Sequence, residues 1–152
     1  MIVAISEPID ANELTFNVTP LLSELNWDDA ITGDEHDMLY DDQIEILKFV
    51  MANLDDHKFK ISQDKKSALD QKENDFQEKR NRFYIRYLTE NIQNTKLYSW
   101  LISCQIRDFR FYIYLEKISY KGPLVHVVFN SKKDAMMFKL TWIGVYEILG
   151  TN

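Results

Sequence analysis

Asp34, Glu35, His36 and Asp37 are consecutive, with Asp28, Asp29, Asp41 and Asp42 close by. Converging carboxylate oxygens are what a hard divalent cation needs. A calcium loop also needs a glycine within it and a closing glutamate. Here Gly33 precedes the cluster, and no glutamate closes it at that spacing. The stretch is therefore expected to be a solvated acidic loop whose charge meets a basic surface, with no metal. The histidines His36, His57 and His126 include no pair four residues apart, so the zinc-protease signature is missing. His126 alternates with Leu124 and Val128 and is expected to be packed or to face a partner. Cys104 is the single cysteine, so neither an internal disulfide nor a cysteine-based zinc site can form. It lies in an apolar run, where a thiol is expected to be buried and inert. The four glycines form no phosphate-cradling loop. The expectation is no catalytic residue, no cofactor and no metal: not an enzyme.

The positive feature is basic and aromatic. Arg110, Tyr112 and Tyr114 occupy alternate positions of one strand-like segment, with Arg107 before it and Lys117 after it. Tyrosine rings on an open sheet face can stack bases while Arg and Lys hold phosphates. The same residues suit a protein interface, where Tyr and Arg are favoured anchors. In a third reading, a helix of the same chain covers the face. The RNA-recognition-motif consensus is missing, because the segment has no glycine. The candidate partner interface is Arg110, Tyr112, Tyr114 and Lys117, together with the acidic Asp34, Glu35 and Asp37. Protein is the expected partner, with nucleic acid behind it.

Charge separates along the chain. Residues 1–57 carry 14 Asp and Glu against one Lys; residues 58–152 carry 10 against 17 Lys and Arg. The net charges are −13 and +7, leaving −6 overall. Such a split suggests an acidic face and a separate basic one. A net negative chain disfavours generic nucleic-acid binding, which draws on clustered Lys and Arg. A length of 152 residues and 45% hydrophobic content suit one globular domain. The apolar runs are too short for a membrane span or a signal peptide. No membrane association and no export are expected.

Positioning these residues requires an acidic start, a helical middle and a β-rich end. Residues 2–5 and 13–19 read as short strands; Leu14, Phe16 and Val18 show period-2 alternation. Residues 21–27 suit one or two helical turns, and 28–42 a loop. A first helix is expected over 42–54, capped by Asp41 or Asp42. Ile44, Leu47, Val50, Met51 and Leu54 would form its buried stripe. A second, long polar helix over 62–92 has only Leu69, Phe76 and Phe83 at heptad spacing, half of what a coiled coil needs. It is expected to project. Residues 97–106 are apolar and could be strand or helix. The clearest strand is 109–118, with Phe109, Phe111, Ile113 and Leu115 on one face and Arg107-Asp108 as a hairpin turn before it. A turn at 121–123, a strand at 124–129 and a helix from Asn130 or Ser131 to Gly144 complete the pattern. Val145 to Leu149 form a short apolar tail that could return to the sheet.

The stretch VHVVFNSKKDAMMFKLTW, residues 125–142, resembles the strand-to-helix endings of small tailed-bacteriophage proteins. These read Phe, a short polar turn, Asp-Ala, two apolar residues and Phe-Lys-Leu. The resemblance implies a virus-encoded protein and carries no activity with it. The expected fold is a single α+β domain over 1–152. A small, mostly antiparallel sheet packs against two or three helices. The acidic N-terminal arm covers 1–41, the helical region 42–93 and the β-rich part 95–152. The expected function is a non-enzymatic structural or assembly protein, a phage virion component with self or other virion proteins as partners. It would be found in the virion or the host cytoplasm. The alternative is a phage-encoded binding protein that targets a host protein or nucleic acid.

Overall fold

A computed structural model describes residues 2–55, 60–119 and 121–143. The fold is α+β; the described residues form four α-helices and a four-stranded mixed sheet. Strands β1 (Ile2–Ile5), β5 (Phe109–Ser119), β6 (Gly122–Phe129) and β2 (Thr15–Asn17) lie in that spatial order. β1 runs parallel to β5, and the other two pairings are antiparallel. A two-stranded ladder joins β3 (Leu54–Asp55) to β4 (Lys60–Ile61). The helices are α1 (Gly33–Ala52), α2 (Lys66–Asn91), α3 (Lys96–Ser103) and α4 (Lys132–Phe138). The chain divides into two compact units: residues 1–27 with 85–152, and residues 28–84.

The first unit is built on the sheet. Alternation in β5 buries Phe109, Phe111, Ile113 and Leu115, and β6 adds Val125, Val127 and Phe129. Leu97 and Leu101 of α3 and Phe138 of α4 are also fully buried. Aromatic edges join the sheet to α4: the Phe138 ring lies 4.7 Å from Phe16 and 5.4 Å from Phe129. Tilted pairs at these distances contribute roughly 0.5–1.5 kcal/mol beyond their area. Residues 97–106, which pattern alone left open, start as helix. Thr95 Oγ1 accepts from the Tyr98 amide, and the Glu24 carboxylate accepts from the Lys96 amide at 2.7 Å, satisfying donors that a strand would not leave free. Arg107-Asp108 therefore joins α3 to β5 and is not a hairpin turn. The hairpin lies between β5 and β6, where Gly122 takes φ +98° with the Trp27 ring against its α-carbon. Any side chain there would be strained and would collide with that ring. Ser131 caps α4 as expected, its Oγ accepting from the Asp134 amide. A π-helical turn, Lys139–Ile143, follows. The expected end at Gly144 and the tail 145–149 lie outside the described residues.

The second unit corrects two expectations. Residues 28–42 are not a loop. Trp27–Ala30 is a 3₁₀ turn, and α1 begins at Gly33, nine residues before the expected start. Thr32 Oγ1 accepts from the Glu35 amide while Glu35 Oε1 accepts from the Thr32 amide, a reciprocal capping box. The acidic run seeds a helix because Asp34 and Glu35 fall in its first turn, where the helix dipole favours negative charge. The second correction is the buried stripe. Leu47 is 53% exposed and Met51 66%. The face of α1 turned to α2 carries Asp42, Ile46 and Phe49 instead. Asp42 accepts from Lys79 Nζ at 2.9 Å, and Lys72 Nζ lies 5.1 Å from the Phe49 ring. As 42 meets 79 and 49 meets 72, the N-terminal half of α2 runs antiparallel to α1. The long helix was expected to project; this half has α1 as its neighbour.

Candidate protein-interaction surfaces

On the sheet, register decides which interface residues are available. Tyr112 pairs with Val3 on one side and His126 on the other; Tyr114 pairs with Ile5 and Leu124. Arg110 and Lys117 are exposed and Tyr112 is half-buried. Tyr114 is 7% exposed, so it belongs to the packed interior and offers nothing to a partner. A register shift in the β5–β6 ladder follows Tyr114. Tyr114 and Leu115 are both buried there, so strict alternation stops. Beside Tyr112 an open hollow of about 300 Å³ is lined by Asp108, Arg110, Tyr112, Val128 and Asn130. Asn130 Nδ2 donates to Asp108 Oδ2 at 2.7 Å, so a carboxylate shares the hollow with the arginine.

His126 sits on the same face, between Asn17 and Tyr112 in the ladder. It is 4% exposed, and neither ring nitrogen has a hydrogen-bond partner among the described residues. Burial penalises the imidazolium and pushes its pKa below the ordinary histidine value.

The acidic candidates belong to the second unit. Asp34 and Asp37 are exposed on α1, while Glu35 is half-buried and engaged in the capping box. They do not converge: among the described residues no three His, Cys, Asp or Glu side chains could hold a metal ion. Cys104, expected to be buried, is half-exposed at the C-terminus of α3.

The surface that sequence reasoning missed is on α1 itself. Tyr40 is 63% exposed and, with Leu47 and Met51, forms a large apolar outer face; Ile44 lies between them, half-buried. The signal was present as the 4-3-4 spacing of Tyr40, Ile44, Leu47 and Met51, but that spacing reads equally as a core stripe. Among the described residues no helix is long and apolar enough to cross a membrane. Comparison with known proteins finds no matching family model, no matching curated protein and no matching solved structure.

Proposed function

We propose that this chain is a non-enzymatic structural or assembly protein, a component of a tailed-phage virion that acts through protein–protein contacts. The observation carrying the reading is the outer face of α1. Tyr40, Leu47 and Met51 remain exposed on a helix that already uses another face against α2. Contiguous exposed apolar side chains mark interaction surfaces more often than scattered ones do. The phage assignment draws on the resemblance of residues 125–142, which run from β6 through the Ser131 cap into α4. Partners under this reading are further copies of the chain or other virion proteins, met in the virion or the host cytoplasm. Mass spectrometry of purified virions tests it. The chain should be present at a fixed ratio to the other virion proteins, and Leu47→Glu should lower that ratio. A chain abundant in infected cells but missing from purified particles would overturn the reading.

A second reading, a phage protein that binds a host protein, is favoured by the hollow beside Arg110 and Tyr112. The Asp108 carboxylate in that hollow weighs against a phosphate backbone as the occupant, since it repels the anion that Arg110 would attract.

A further inference from the structure

We infer that the outer face of α1 is a docking site for a basic amphipathic helix of another protein. The inference deepens the assembly reading, on which it rests for the existence of a partner.

Tyr40, Ile44, Leu47 and Met51 are separated by four, three and four residues. That is the d-a-d-a seam by which one helix receives another. At 100° per residue the four side chains fall within roughly 60° of one another, and the seam extends roughly 16 Å along the axis. The face turned to α2, carrying Asp42, Ile46 and Phe49, is centred well over 90° away on the same count. α1 therefore has two apolar faces: one borders α2 across a hollow lined by Asp42, Ile46, Lys72 and Phe76, and the other is exposed, with only Tyr40 near α2, in a hollow with Phe76 and Tyr84.

Charge names the occupant. One flank of the seam carries Asp34, Asp37, Asp41 and Glu45, all exposed. Its single cation, Lys48, lies 3.9 Å from Glu45 and is partly neutralised by it. The opposite flank carries His36, Gln43 and Val50 and no basic side chain of α1 itself; Arg80 of α2 lines the hollow beside His36, Tyr40 and Gln43. A second α1 laid on this seam would bring another net-negative flank with it, and like charges across an interface are costly. A helix with Leu, Ile or Met on its seam and Lys or Arg along one flank fits both features. It buries the apolar row and places cations opposite four carboxylates, the helix-in-groove mode of recognition. Such charges guide encounter and register more than they add affinity. Apolar contact should hold the complex, and salt should weaken it.

The test uses the full chain and fluorescein-labelled synthetic peptides of about two and a half heptads. One peptide has Leu at the seam positions and Lys at the flanks. The second replaces Lys with Glu. The third scrambles the first. Anisotropy should show saturable binding of the Leu–Lys peptide alone, weakening as salt rises to about 0.15 M. Leu47→Glu and Met51→Glu should each weaken it by about tenfold or more. These side chains are exposed, so circular dichroism and melting of the variants should stay unchanged. The double variant Asp37→Lys, Asp41→Lys should lose the Leu–Lys peptide and gain the Leu–Glu one. Equal binding of the scrambled peptide, or undiminished binding by Leu47→Glu, overturns the inference, as does no binding of any peptide. Light scattering that shows a dimer of the free chain, dissolved by Leu47→Glu, also overturns it, because a second copy then covers the seam. The outcomes separate from those of the assembly reading. Presence in virions without peptide binding defeats only this inference, whereas peptide binding by a chain missing from virions defeats only the assembly reading.

Discussion

At Tyr114 the side chain is enclosed between Ile5 and Leu124, whereas Tyr112, two positions earlier on the same face, keeps part of its ring in solvent. Truncation should separate them. Tyr114→Ala is expected to cost about 3–5 kcal/mol in stability, as loss of a buried aromatic does. Tyr112→Ala should cost clearly less, read as the urea midpoints of the two variants. Equal losses would remove the distinction between an interior and a surface tyrosine. His126 gives a pH forecast. Its ring titrates near 6.5 when unfolded and lower when folded, because burial disfavours the cation. Between the two values the unfolded chain binds more protons, so stability declines as pH falls below about 6.5 and levels off below the folded value. Asn17 and Tyr112 flank the ring in the ladder, and Arg110 shares its face, so no carboxylate among these neighbours offsets the charge. His126→Leu should flatten the midpoint between pH 7 and about 5.5. A wild-type profile already flat across that window would contradict this account.

Among the elements, α1 depends most on a local device. The Thr32–Glu35 capping box satisfies two amides that would otherwise lack intrahelical partners. Thr32→Ala should lower stability by about 1 kcal/mol, measured by denaturant unfolding, and exchange should speed up first in the amides of the opening turn. What sequence shows and hides is clearest here. β5 was legible because alternation of large apolar residues over seven positions, from Phe109 to Leu115, has one good solution. The long helix was legible from the lack of Gly and Pro between Ser62 and Ile92. The start of α1 was not, because Thr32, Glu35 and the surrounding aspartates read as loop residues unless the three-residue Thr-to-Glu spacing is given priority. The buried face of α1 was not legible either. Two stripes at heptad spacing compete on it, and the more apolar one points outward; only contact with α2 decides between them. In the candidate interface, Arg110 and Tyr112 were found by alternation, while burial of Tyr114 depends on β1 and β6 flanking it, which alternation along one strand does not reveal.

For the molecule as a whole, the first unit is sequence-discontinuous: residues 1–27 and 85–152 build it around the point where 28–84 departs and returns. That point is closed within the unit itself. The Trp27 and Tyr87 rings lie 5.3 Å apart, and the Asn26 amide donates to Tyr87 Oη at 2.8 Å. Replacing residues 28–84 with a short Gly-Ser linker should therefore leave the sheet unit folded. Near-ultraviolet circular dichroism and a cooperative melt are the readouts. A molten chain with native helix content but no cooperative transition would show that the sheet unit needs the inserted residues.

Ile2 pairs with Phe111 and Ile5 with Tyr114. β1 is therefore translated more than a hundred residues before the strand that holds it. At about 5–20 residues per second, it waits roughly 5–20 s for a partner. Throughout that interval the apolar segment Ile2-Val3-Ala4-Ile5 is a nascent strand with both edges open. On a polysome, neighbouring nascent chains present the same edge to one another. The yield of native protein should therefore depend on translation speed and ribosome spacing in a way that the finished fold, with β1 already paired, no longer reveals.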